Sequence, residues 1–192
     1  MKKEELNNQE TFTKRLKDPA RWLSKADELI FVANILKDKL DSHWKKVADE
    51  KNKIIFDYSM ATVQGVYLML IAFAFENFCK AIIVGRNRKE WERKTLKTIP
   101  DVLKNHKLRE LVEKNIGMKL DISEQCLLER LSRYATWDAR YPTPTAAVSI
   151  GTRKNFSDGH KYHVAYVASF DSEEIMNFIS RLQVLIKKEI SA

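Results

Sequence analysis

Glu76 and Lys80 stand four residues apart in the second half of Ala61–Val84, a stretch otherwise apolar on nearly every helical face. One helical turn separates them, so the carboxylate and the ammonium share a face and can form an ion pair. A helix that is apolar all round must be enclosed by other helices, which sets this pair into or beside a core. A carboxylate in such surroundings needs cationic partners, and His106 and Arg140 are the candidates for meeting Glu76. His106 carries the one side chain suited to moving a proton near neutral pH, although at the start of a short helix it could equally act as a cap. Arg140 sits between Trp137 and Tyr141, just ahead of Pro142, where its guanidinium can stack and still offer a fork to phosphate.

A second chemistry lies in the charge distribution. Of the net charge of +8, the segment from Arg86 to Arg109 contributes +6. Its cations are Arg86, Arg88, Lys89, Arg93, Lys94, Lys97, Lys104, Lys107 and Arg109, set against Glu90, Glu92 and Asp101. A local excess of this size attracts polyanions, of which nucleic acid is the commonest in a cytoplasm. The alternative is a solvated lysine-rich loop.

These groups must be positioned by a single folded unit of 192 residues, with residues 1–18 as a polar N-terminal tail and 19–192 as one domain. The tail has no apolar region of the kind a secretory signal requires. The longest unbroken apolar run, Val66 to Phe75, is followed directly by Glu76 and Lys80, which favours a core helix over a membrane span. Cys79 and Cys126 match no zinc or redox spacing and fit buried thiols in a reducing, cytoplasmic compartment. The sequence carries no phosphate-binding glycine loop, no metal-ligand cluster and no nucleophile motif, so no cofactor or metal is expected.

The elements follow from periodicity. Asp18-Pro19 is a helix start, and apolar residues then recur at Trp22, Ala26, Leu29, Val32, Leu36, Leu40, Trp44 and Val47. A second long helix runs from about Met60 to Val84 and stops at Gly85. Pro100 breaks the chain, and a short helix after His106 ends at Gly117. Asp121 or Ser123 opens the next helix, which Pro142 and Pro144 end. Thr145–Thr152 and His160–Ser169, separated by the turn signal Ser157-Asp158-Gly159, predict a β-hairpin over about 145–169. Asp171 or Ser172 caps a last helix with one apolar stripe, Ile175 to Ile190. The expected fold is mainly α, an up-and-down bundle of about five helices with the hairpin inserted before the C-terminal helix.

Three pieces stand in order along this frame: Glu76-Asn77-Phe78-Cys79-Lys80, His106-Lys107-Leu108, and Ala139-Arg140-Tyr141-Pro142. The set resembles the HEPN superfamily (higher eukaryotes and prokaryotes nucleotide-binding) over roughly residues 60–190. The resemblance implies a helical bundle, usually dimeric, that binds RNA or nucleotides and in many members cleaves RNA without metal. Cleaving members pair an arginine with a histidine across four to six intervening residues, a combination suited to stabilising phosphate charge and moving a ribose proton. Arg153 and His160, with six residues between them, fit that spacing but lie across a predicted turn instead of along a helix.

The functional expectation is therefore a cytoplasmic homodimer that binds RNA or nucleotide through Arg86, Arg88, Lys89, Arg93, Lys94, Lys97 and Lys107. His106, Arg140, Arg153 and His160 are the candidates for ribonuclease chemistry of a defence or toxin-antitoxin type. The alternative is a noncatalytic protein-interaction or dimerisation module in such a system, its basic segment meeting an acidic protein partner.

Overall fold

The computed structural model describes residues 2–49, 58–92, 94, 96–138, 153–155, 161–163 and 171–190. Among them the helices are α1 (Lys2–Leu16), α2 (Pro19–Asp49), α3 (Tyr58–Arg86), α4 (Arg88–Glu92), α5 (Asp101–Lys104), α6 (Leu108–Glu110), α7 (Ile122–Arg133) and α8 (Asp171–Ile190). α6 and α7 each run on into a wider π-helical segment, Leu111–Ile116 and Tyr134–Asp138.

Helix α2 begins as its sequence dictates. Pro19 takes the first position, and the Asp18 carboxylate accepts the Ala20 N–H at 3.1 Å. Ala26, Ala33 and Leu40 are buried at a spacing of two turns, with Trp22, Leu29 and Leu36 packed partly against the core. Val32, expected on that stripe, is instead 45% exposed, and Ala33 occupies the inner face. Small side chains here let α2 lie close along α3, and the two make the largest interface in the fold.

Helix α3 is enclosed on its far sides by α6, α7 and α8. Phe75, Phe78, Cys79 and the run Ala81–Val84 are all buried, as a helix apolar on every face requires. Val63–Arg86 is long and apolar enough to cross a membrane by composition, and 72% of its most apolar window is buried within the fold. α8 contributes Ile175, Phe178, Ile179, Leu182 and Ile186, and the Phe178 ring stacks on Phe75 with centroids 5.2 Å apart.

Residues 2–16, read from the sequence as a polar tail, form a helix docked by Phe12, Thr13 and Leu16. Its polar side chains tie down the chain after α4. Gln9 and Thr13 both donate to the Leu96 carbonyl, at 2.5 and 3.0 Å, and Lys17 donates to the Lys94 carbonyl at 2.5 Å.

Gly117 ends the α6 segment with a φ of 74°, the left-handed geometry that a glycine adopts without strain. Asp121, not Ser123, caps α7: its carboxylate accepts the Glu124 N–H at 2.9 Å while Glu124 accepts the Asp121 N–H at 3.0 Å. Asp121→Ala is expected to lower stability by about 1 kcal/mol in chemical denaturation, and Asp121→Asn by less.

The expected β-hairpin is corrected. The fold is mainly α, 87% helical with eight helices, and has no sheet layer among the described residues. Among the described residues of 145–169 the extended pairing consists of Arg153 with His163, Lys154 with Tyr162 and Asn155 with Lys161. Three pairs are too few to form a sheet of independent stability, since even a longer isolated ribbon is marginal in water. The valine and tyrosine content that pointed to strands is only a weak, context-dependent preference. The rest of the expected hairpin lies outside the described residues.

Candidate functional site

The second half of α3 places Glu76 and Lys80 on one face, and both are buried, at 7% and 4% exposure. Lys80 Nζ lies 2.6 Å from Glu76 Oε1. The ammonium also stands over the Trp22 ring of α2, 5.7 Å from its centroid. The second carboxylate oxygen reaches out of the core: His106 Nδ1 lies 2.9 Å from Glu76 Oε2. Both oxygens of a nearly inaccessible carboxylate thus have cationic or N–H partners, which is what burial of a charge requires.

His106 owes its position to the extended backbone between α5 and α6. Asn105 and Lys107 flank it with ψ of 130° and 100°, and Asn105 Oδ1 accepts the Lys107 N–H at 2.9 Å. The following residue is anchored to α7, because the Leu108 N–H donates to Ser132 Oγ, which itself donates to the Leu128 carbonyl. With Nδ1 turned to Glu76, Nε2 is the nitrogen left to the surface, and the side chain is 60% exposed. An ionised carboxylate only accepts, so it selects the tautomer with hydrogen on Nδ1 and a lone pair on Nε2. That is an imidazole oriented as a proton acceptor.

The ring opens onto a cleft of about 670 Å³ between the α6 segment and α7. Lys107, Arg109, Lys114 and Arg133 bring positive charge to its walls, and Glu110, Glu113 and Glu129 bring negative charge. Several of these pair locally: Arg109 with Glu113 at 2.9 Å and Lys107 with Glu110 at 3.3 Å. The Lys107 hydrogen bond holds the Glu110 carboxyl below its usual range. Beside the cluster, burial first and the Glu76 charge second push the Cys79 thiol up to about 12, so it stays protonated and unreactive at neutral pH.

The contact expected between Glu76 and His106 is present. Arg140, its other candidate partner, lies outside the described residues, as do His160 and Arg93. Arg153 is described only as backbone, opposite His163. The rest of the basic segment is less uniform than its composition. Arg86 is a structural clamp, donating to the Ile116 carbonyl at 2.6 Å and pairing with Glu189 of α8 at 2.9 Å. Arg88 pairs with Glu92, Lys94 with Glu90 and Lys104 with Asp101, each within one helical turn. Lys89 and Lys97 are exposed, and of the segment's described cations only Lys107 and Arg109 reach the cleft beside His106. Among the described residues no three His, Cys, Asp or Glu side chains converge as metal ligands.

Sequence reasoning missed the α7 wall, Glu129, Ser132, Arg133 and Thr136. Their spacing of three, four and seven marks a polar face opposite Leu127, Leu128 and Leu131, a signal visible once the helix is drawn. Fold and site together define a helical protein in which a buried carboxylate–ammonium pair holds an exposed imidazole at the mouth of a mixed-charge cleft. Comparisons with protein-family models, with curated proteins and with solved structures found no match.

Proposed function

We propose that this chain is a HEPN-like helical domain that binds RNA or a nucleotide in the cleft beside His106. One observation carries the reading: an exposed imidazole held by a buried carboxylate, with Lys107, Arg109, Lys114 and Arg133 within the same cleft. Cations there would hold phosphate oxygens while His106 faces the ribose, and the charge on the cleft favours anions only over short range. The ordered motifs around Glu76 and His106 support the superfamily reading. Metal-independent ribonuclease activity is its catalytic form, with His106 Nε2 taking the 2′-hydroxyl proton and a neighbouring guanidinium stabilising the phosphorane charge.

Binding through two to four phosphates to a single strand predicts that log affinity falls with log salt at a slope of about −1.4 to −2.8. Fluorescence anisotropy with a labelled single-stranded RNA at several salt concentrations measures it. No binding at low salt, or binding indifferent to salt, ends the proposal.

A second reading, a noncatalytic interaction or dimerisation module of a defence or toxin-antitoxin system, is favoured by a different observation. Phe31, Val32 and Ile35 form an exposed apolar stripe on the outer face of α2, with Phe31 69% exposed. Purified protein that carries no nucleic acid by its 260-to-280 nm absorbance and is stoichiometric with a protein partner would favour that reading over the first.

A further inference from the structure

A second cavity, lined in part by Trp22, lies between α1, α2 and α3, with a volume of about 520 Å³. We propose that it is a binding site for a small aromatic anion, a planar ring with a hydrogen-bond donor and one carboxylate or phosphate. The inference is independent of the function assigned to the His106 cleft.

Two sets of side chains carry it. Phe12, Leu16 and Trp22 supply the apolar wall, and Trp22 is held in place because its Nε1–H donates to the Leu16 carbonyl at 3.1 Å. A fixed indole with one edge anchored and the Lys80 ammonium over its ring keeps the rest of its surface for a ligand ring to pack against. Arg15, Arg21 and Lys25 supply charge, and among the described residues no acidic one lines the cavity, in contrast to the cleft beside His106 with its three glutamates. Arg21 is shared with Asp18 at 3.5 Å, and Lys25 pairs with Glu28. Arg15 has no acidic partner among the described residues, so it is the cation best placed to take its counter-charge from a ligand.

Asn77 adds direction. Its Nδ2 donates to the Phe73 carbonyl of its own helix at 2.7 Å, which fixes the amide and turns Oδ1 away from that bond as an acceptor. An acceptor, an apolar wall and an unpaired guanidinium around one cavity of ligand size match a ring N–H or amino group, the ring itself and its anionic substituent. A neutral ring would leave Arg15 without its partner, and an aliphatic anion would leave the aromatic wall unfilled.

Isothermal titration of the full chain tests this with three probes: indole-3-acetate, adenosine 5′-monophosphate and neutral indole-3-ethanol. The expected result is that at least one anion binds ten-fold or more tightly than indole-3-ethanol. Arg15→Ala should weaken that anion about ten-fold and Arg15→Lys less, while Lys188→Ala, at an exposed cation of α8, leaves it unchanged. Preference for indole-3-acetate or for the nucleotide identifies a carboxylate or a phosphate ligand, and either supports the site when Arg15→Ala weakens it. Equal binding of the neutral probe, no binding of either anion at millimolar concentration, or an Arg15→Ala variant with unchanged affinity and unchanged melting temperature would overturn it.

Discussion

Glu76→Ala is expected to destabilise the fold by about 3–5 kcal/mol, the largest single effect among the polar residues. The argument is asymmetric. Lys80 is 4% exposed and its ammonium rests on Glu76 Oε1 and the Trp22 face, so removing the carboxylate leaves a buried cation with only the ring. Attraction to an aromatic face contributes about 0.5–2 kcal/mol, too little to offset desolvation of an ammonium. Glu76→Gln keeps an oxygen for Lys80 and should cost less, on the order of 1 kcal/mol or more. The double replacement Glu76→Leu with Lys80→Met removes both charges together and should recover most of the loss, because paired apolar groups of similar volume fill such sites at little cost. Urea unfolding of the three variants decides the matter. A loss within error for Glu76→Ala, or a double variant worse than the single, would show that the pair is not a buried ion pair.

His106→Ala should shift the balance, costing activity far more than stability. Its side chain is 60% exposed, so water can replace it on Glu76 Oε2, and the fold should lose about 1 kcal/mol, well below the loss for Glu76→Ala. If the cleft cleaves RNA, loss of the proton carrier should slow cleavage in the presence of chelator by about 10²- to 10⁴-fold. RNA affinity should stay within a few-fold, since the cations of the cleft remain. Glu76→Gln is the companion variant: an amide no longer enforces the tautomer with hydrogen on Nδ1, so the rate should fall with His106 still in place. Unchanged cleavage by His106→Ala acquits the residue and attributes any activity to another part of the chain.

The pairing of His106 with Glu76 was legible in part. Apolar residues on every face of Ala61–Val84 required enclosure, and enclosure required a partner for the carboxylate. That logic reached His106 and Arg140 alike, because sequence alone cannot rank two partners 30 and 64 residues away. The helix start at Asp18-Pro19 was equally readable, and that of α7 was narrowed to Asp121 or Ser123, since capping is a contact between residues two or three apart. The role of Arg86 was not. It stood in the basic segment as a phosphate ligand, yet it clamps the Ile116 carbonyl and Glu189, partners brought to it only when α6 and α8 pack on α3. Val32 shows the same limit on a smaller scale: a one-residue choice between Val32 and Ala33 on the stripe is settled by how closely α3 approaches.

Local interactions alone therefore determined that the chain is helical, where α2, α3, α7 and α8 lie, and that Glu76 and Lys80 share a buried face. Hydrophobic period and capping are written within a few turns of chain, and no distant residue is needed to read them. The tertiary structure decided the rest. It brought His106 to Glu76, turned much of the basic segment into short-range pairs and a clamp, docked residues 2–16 over Leu96, and opened a cleft beside His106 and a cavity beside Trp22. Each of those depends on which side chains meet across separate helices, and that is set by the packing of whole faces and not by any one of them.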